Sequence, residues 1–190
     1  MKRRALGILF SAVLLLAIAQ APARAGFYVG IRGGLSNQNV SFESKYHFNK
    51  DSAVLYGAQV GFKFLALAVQ GEFYRADHSD LKPDDFVTVD GYRMDYYYLG
   101  ANAKLGIPLV ILYPYLTVGY GKYSADINSL LEGKKSNSDW SFNVGAGAEL
   151  TLGKVGLFAE VRYTDFSMDI HNLNWDFGGV DLHFGLNLHL

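Results

Sequence analysis

The 190-residue chain contains no cysteine. This absence excludes disulfide bonds, thiol nucleophiles, cysteine-ligated metal sites and a lipid-bearing cysteine. Beyond residue 25 the chain also lacks any run of roughly 18 uncharged apolar residues, so no later segment would cross a bilayer as a helix. An excess of positive charge is missing too, because 17 basic side chains stand against 18 acidic ones. That balance argues against nucleic acid as a partner.

The first 25 residues have the features of an export signal. Lys2-Arg3-Arg4 is a basic start, residues 5–19 are a nearly continuous apolar run, and Ala23-Arg24-Ala25 is a small-x-small cleavage motif. We therefore expect a secretory signal peptide over residues 1–25, cleaved after Ala25, and one mature domain over residues 26–190. Cleavage removes four basic residues and leaves the mature chain mildly acidic. A retained helical anchor is the less favoured alternative, because the apolar run is short.

Eight stretches of the mature chain alternate apolar and polar residues with a period of two. In residues 141–150, one side is Phe, Val, Ala and Leu, and the other is Asn, Gly, Gly and Glu. Such alternation is typical of strands with one face in an apolar medium and the other in a polar one. The predicted strands are residues 27–36, 54–64, 65–76, 93–105, 112–124, 140–152, 155–164 and 180–190.

The connections between the predicted strands alternate between long and short. The long, polar ones are residues 37–53, 77–92, 125–139 and 165–179, and the others are tight turns. In a closed sheet, all long loops then lie at one end and all turns at the other, as in bacterial outer-membrane barrels. We therefore expect an all-β fold, an eight-stranded antiparallel transmembrane up-and-down β-barrel. The barrel must be closed, because lipid satisfies no backbone hydrogen bonds.

The two faces of the predicted strands differ in composition. One face carries large apolar side chains with aromatic residues near both ends, as expected of a lipid-facing surface with interfacial girdles. The other face mixes polar and charged residues with many glycines. An eight-stranded barrel has little interior space, so we expect glycine to make room for large side chains from the strand opposite. The alternative, a soluble lipocalin-like barrel, would turn its large apolar side chains inward.

Six charged residues on the glycine-rich face form the main candidate site. They are Arg32, Glu72, Lys104, Glu149, Glu160 and Arg162. A buried charge without a partner is costly, so we expect these groups to pair in a satisfied network that plugs the lumen and locks the barrel. The alternative is a gate, in which an exchange of partners among these groups opens a narrow water path.

Five short segments occur in a characteristic order and spacing: residues 26–30, 105–109, 114–121, 144–149 and 159–163. The last strand offers a polar-x-Gly-x-x-apolar-x-aromatic pattern through Gly185, Leu188 and Leu190, with Leu190 in place of the usual aromatic residue. With these features the chain resembles the small eight-stranded outer-membrane barrels of the OmpA/OmpX type. The resemblance implies a Gram-negative outer membrane, insertion by the outer-membrane assembly machinery, and salt-bridge exchange as the way such a gate would work.

We expect neither an enzyme nor a cofactor or metal site. Ser167 and His171 lack the His-x-Ser-Asn run of a lipid A deacylase, so nucleophile, base and orienting group cannot be assigned. The acidic stretch at residues 77–85 lacks the spacing of a calcium-binding EF-hand.

The expected role is structural or adhesin-like. We expect a monomer in contact with outer-membrane lipid and lipopolysaccharide, with long loops directed toward a host surface protein. A narrow passive pore is the principal alternative. A further alternative is passage of small hydrophobic molecules through a lateral opening, because Gly33 and Gly71 on the lipid-facing side suggest local strand breaks.

Overall fold

The structure is a computed structural model that describes residues 25–42, 46–47, 51–78, 93–129, 133–170 and 173–190. The strands are β1 (Gly26–Phe42), β2 (Tyr46–His47), β3 (Asp51–Phe64), β4 (Leu67–His78), β5 (Arg93–Gly106), β6 (Leu112–Ser129), β7 (Gly133–Leu152), β8 (Val155–Ile170) and β9 (Leu173–His189). The predicted signal peptide lies outside the described residues except for Ala25, and its cleavage stays a prediction. Within the described ranges, no helix has the length and apolar character needed to cross a membrane.

Eight long strands close into an antiparallel barrel, and the two-residue β2 only extends the first hairpin. Each long strand pairs with the next one along the chain from β1 to β9, and β9 pairs back with β1. The closing seam is long, running from the pair Tyr28 and His189 to the pair Phe42 and Trp175. The predicted eight-stranded up-and-down barrel is therefore confirmed.

The strands continue farther toward the loop end than the alternation predicts. Strands β6 and β7 stay paired as far as Ser129 and Gly133, whereas the prediction ended them at Ser124 and Trp140. Similarly, β8 and β9 pair through most of residues 165–179, which were predicted to be a loop. The prediction was wrong because outward residues become polar there, while the backbone still satisfies its hydrogen bonds by pairing. At the turn end, Leu65 belongs to a turn rather than to a strand.

The outer face of the barrel is an apolar belt. Large exposed apolar side chains on it include Phe27, Ile31, Val60, Leu99, Leu116, Phe142, Val144 and Leu186. A continuous apolar surface of this kind is suited to acyl chains, not to water. Aromatic rings lie at both edges. Phe27 and Phe62 have ring centroids 5.0 Å apart at the turn end, and Tyr120 lies 5.3 Å from Trp140 at the loop end.

Glycines on the inner face lie beside large side chains of the directly paired strand. Gly61 pairs with Tyr28, and Gly185 pairs with Phe158. An added Cβ would lie 2.4 Å from the Tyr28 ring at Gly61 and 2.4 Å from the Phe158 ring at Gly185. These contacts confirm that glycine makes room for large side chains, and they show that the rings come from the directly paired strand, where each ring covers its neighbour's backbone.

Strand pairing runs without interruption past Gly33 and Gly71. Gly33 is paired on both sides, with β3 and with β9. Gly71 is likewise paired with β3 and with β5. Since neither glycine marks a strand break, the hypothesis of a lateral opening at these positions has no structural support.

Candidate functional site

Five of the six predicted lumen charges meet in the middle of the barrel. We call this group the central charge cluster, and each member is at most 4% exposed. Its members are Arg32 on β1, Glu72 on β4, Lys104 on β5, and Glu160 and Arg162 on β8. The period-two alternation points all five side chains inward, and closure of the barrel brings four different strands together around them.

Glu72 joins two arginines of the central charge cluster. Arg162 donates to Glu72 from Nη1 and Nη2, with Nη2 3.3 Å from Oε2. Arg32 Nη1 lies 2.7 Å from Glu72 Oε2, an ion pair in which no N–H is aligned as a hydrogen bond. Gln70 Nε2 donates to the same carboxylate oxygen at 2.6 Å. One carboxylate is therefore shared by two buried guanidinium groups.

Glu160 continues the cluster toward Lys104. Arg162 Nε donates to Glu160 Oε1 at 2.9 Å. Lys104 Nζ lies 3.2 Å from Glu160 Oε2 and donates to the Tyr115 hydroxyl at 3.2 Å, while that hydroxyl donates to Glu160 at 2.9 Å. The charges thus alternate in sign across the lumen, from Arg32 through Glu72, Arg162 and Glu160 to Lys104.

Glu149 lies apart from the central charge cluster, near the turn end. Its carboxylate is 3.2 Å from Lys63 Nζ and 3.3 Å from His189 Nε2, and it accepts a hydrogen bond from Asn187 Nδ2 at 2.5 Å. The side chains of Lys63 and His189 are 15% and 21% exposed, so water reaches this second group. Lys63, Glu149 and His189 form what we call the turn-end cluster.

Four tyrosines fill the lumen on the loop side of the central charge cluster. Tyr74, Tyr96, Tyr98 and Tyr123 are each 0% exposed, and we call them the tyrosine layer. The Tyr98 ring centroid is 4.9 Å from that of Tyr74 and 4.6 Å from that of Tyr123. The sequence reasoning did not identify this layer as a site. The period-two alternation predicts it, because Tyr96 and Tyr98 alternate with outward-facing residues of β5.

Polar contacts connect the tyrosine layer to the facing wall of the barrel. The Tyr96 hydroxyl donates to Asp181 on β9 at 3.2 Å and lies 2.9 Å from the Ser36 hydroxyl on β1. The Tyr74 ring meets the His183 ring edge to face at 5.2 Å. Asp181 is also fully buried and was omitted from the predicted site, although it lies two residues from the inward-facing His183. The layer therefore spans the lumen.

The central charge cluster and the tyrosine layer lie one behind the other, and they are suited to blocking the barrel axis and to holding its strands together.

In the described ranges, no three His, Asp or Glu residues are placed to hold a metal ion. Ser167 and His171 were the candidate catalytic residues of a deacylase. Ser167 is exposed on the outside of β8, and His171 lies outside the described residues. Most of the acidic stretch at residues 77–85 also lies outside them.

The predicted assembly residues are on or next to β9. Gly185 faces the lumen beside Phe158, Leu188 faces outward, and the backbone N–H of Leu190 donates to the carbonyl of Phe27 at 3.0 Å. Space for the Phe158 ring already explains why residue 185 is glycine. The role of the three residues in recognition by the assembly machinery stays a prediction.

Residues 8–187 match the family described as outer membrane protein beta-barrel domain, and the chain belongs to this family. No curated protein sequence matches the chain. Solved structures with a similar fold include Neisserial surface protein A, at 16% identity and a TM-score of 0.63 over 87% of this chain and 97% of that one. Ail, the attachment invasion locus protein of Yersinia pestis, gives 17% identity and a TM-score of 0.52 over 86% and 99%.

A major outer membrane protein of Thermus thermophilus is also similar, at 15% identity and a TM-score of 0.51 over 88% of this chain and 100% of that one. At such low identities, the likeness establishes the fold alone. The family match and the shared fold together place the protein in the bacterial outer membrane as an integral β-barrel, and they confirm the resemblance inferred from the sequence.

Proposed function

We propose that the protein is a closed barrel that anchors extended hairpins at the cell surface, where they bind a partner outside the cell. The observation that carries this proposal is the filled lumen. The central charge cluster and the tyrosine layer lie one behind the other, and their side chains are at most 4% exposed. A barrel filled in this way serves better as a scaffold than as a route for solutes.

The hairpin of β6 and β7 supports a role outside the membrane. The outward side chains become polar beyond the pair Lys122 and Trp140, beginning with the pair Ser124 and Ser138. Pairing then continues to Ser129, which extends the ribbon by about 20 Å along the strand. The hairpin therefore reaches well past the aromatic girdle, where it is accessible to a partner.

The chemistry we propose for this hairpin is recognition of phosphate or sulfate groups. Its β7 arm carries Lys134 and Lys135 next to each other in the sequence. Lysine is a suitable point charge for such anions. Ail, which shares the fold, has been solved in complex with the heparin analogue sucrose octasulfate. Lipopolysaccharide phosphates and sulfated glycans at a host surface are the two sources of this chemistry.

Replacing Lys134 and Lys135 together with serine is expected to weaken binding to immobilised heparin by roughly tenfold, through loss of two positive charges. The measurement uses protein refolded into lipid nanodiscs at low and at physiological salt. Lys154→Ser is the matched control, because it removes a lysine from the opposite end of the barrel.

A second binding arm uses vesicles that contain lipopolysaccharide in place of heparin, and it distinguishes the two anion sources. Wild-type protein that binds neither heparin nor lipopolysaccharide would refute the proposed recognition. Equal binding by the double variant and the wild type would refute the role of this hairpin.

A narrow gated pore is the second candidate function. It is favoured by the sharing of carboxylates in the central charge cluster, because Glu72 and Glu160 each contact two cations and Arg162 contacts both carboxylates. An Arg162 side chain that kept only Glu160 would loosen the cluster. The tyrosine layer would still lie in series with such a gate. Our proposal also includes a monomeric state and insertion by the outer-membrane assembly machinery, and it includes no catalytic role.

A further inference from the structure

The turn between β5 and β6 is apolar and exposed. Residues 107–112 are Ile-Pro-Leu-Val-Ile-Leu, without a single polar side chain. Val110 is 79% exposed, Ile111 53% and Leu109 45%. A turn that faces water is usually built from Gly, Asn, Asp, Ser or Pro. The composition of this turn therefore needs an explanation other than exposure to water.

The neighbouring turn between β3 and β4 is apolar as well. It holds Leu65 in the left-handed region with φ of 52°, where glycine or asparagine is the usual residue. The turns are joined, because the carbonyl of Ala66 accepts from the backbone N–H of Gly106 at 2.8 Å and from the Tyr113 hydroxyl at 2.7 Å. A leucine at a strained position indicates that its apolar side chain has a use there.

The two turns form one surface that continues the lipid-facing belt. This apolar turn surface consists of Phe64, Leu65, Leu67, Leu105, Ile107, Leu109, Val110, Ile111 and Leu112. Phe64, Leu67 and Leu105 are belt residues at the ends of their strands, and all three are exposed. No polar side chain separates them from the turns. By contrast, the turn between β7 and β8 is formed by Gly153 and Lys154.

We propose that the apolar turn surface is immersed in the phospholipid leaflet that surrounds the turn end of the barrel. The occupant we assign is lipid, because the surface extends the apolar belt at the ends of β3, β4 and β5. On its lumen side, Leu65 and residues 109–112 line a cavity together with Lys63, Thr151 and Lys154. The barrel would then sit deeper in the leaflet at the β3–β4 and β5–β6 turns than at the β7–β8 turn. This inference is independent of any binding at the loop end.

The absence of cysteine allows a direct test with single labels. Val110→Cys is spin-labelled and refolded into phospholipid bilayers, and its collision rates with oxygen and with a water-soluble nickel complex are measured. Val144→Cys in the belt is the lipid reference, and Lys154→Cys is the water reference. The Val110 label is expected to favour oxygen over nickel, as the Val144 label does. A heat-modifiability gel establishes that each labelled variant is folded.

A Val110 label as accessible to nickel as the Lys154 label would overturn the proposal. The proposal would also be overturned if the Val110 label were accessible to nickel in pure lipid but protected in native outer-membrane vesicles. A protein partner, not lipid, would then cover the surface. As a second test, Val110→Asp combined with Ile111→Asp is expected to fold in detergent and to lose folding yield in bilayers. Lys154→Asp should fold equally well in both, and an equal yield for the double variant would contradict immersion in lipid.

Discussion

Replacement of Glu72 by glutamine is expected to lower the free energy of unfolding of the barrel by about 3–5 kcal/mol. Glutamine keeps the shape of the side chain but removes the charge that balances Arg32 and Arg162. Both arginines are buried, and the Arg32 guanidinium has no aligned hydrogen bond within the described part of the chain. The loss arises because Arg32 loses its carboxylate partner and Arg162 keeps only Glu160, in a space that water does not reach. Urea unfolding in lipid vesicles measures it.

Glu149→Gln is the matched control for this prediction. The carboxylate of Glu149 also contacts two basic side chains, but Lys63 and His189 are partly exposed and can be hydrated when the charge is lost. The expected cost is about 1 kcal/mol. Equal losses for the two variants would show that the central charge cluster is not isolated from water. A variant with Arg32, Glu72 and Arg162 all changed to methionine should recover most of the stability lost in Glu72→Gln.

Opening of the lumen is expected only when both layers are disrupted. Tyr98→Ala removes a ring that lies over Gly100 and Gly121, neither of which has a side chain to fill the space. Arg162→Ala removes the residue that joins the two carboxylates of the central charge cluster. In planar bilayers, each single variant should remain closed and the double variant should conduct. The reason is that the two layers lie in series along the barrel axis.

Tyr113→Ala is the control for loss of a tyrosine, because Tyr113 lies at the turn end, outside both layers. Tyr113→Ala should give no measurable conductance, either alone or combined with Arg162→Ala. Conductance from Arg162→Ala alone would show that the tyrosine layer is no barrier, and it would favour the salt-bridge gate as the function. Only variants that pass a heat-modifiability gel enter the comparison.

The fold was predictable because each residue of a membrane strand faces either lipid or the lumen. The alternation in residues 141–150 alone assigns Phe142 and Val144 to the lipid and Asn143 and Glu149 to the lumen, as the structure has them. The same rule places Tyr98, Tyr123 and Asp181 inward, although the predicted site did not include them. Their role depends on neighbours from other strands, which the sequence of one strand does not contain.

The partners within the lumen could not be predicted, because they depend on how far each strand is shifted against the next. Glu149 and Glu160 lie on neighbouring strands of one hairpin, yet Glu149 pairs with Lys63 at the turn end and Glu160 with Arg162 in the middle. A shift by two residues would preserve every inward face and exchange these partners. The extension of strand pairing at the loop end could not be predicted either. Backbone pairing there does not require an apolar face, so the sequence shows no apolar–polar alternation.

Conductance of the purified wild-type protein, refolded into a planar bilayer, is the most direct test of the closed lumen. The filled interior predicts a silent bilayer at neutral pH and moderate voltage, from a sample that a heat-modifiability gel shows to be folded. Stable conductance steps from that sample would contradict a closed lumen and would identify the barrel as a pore.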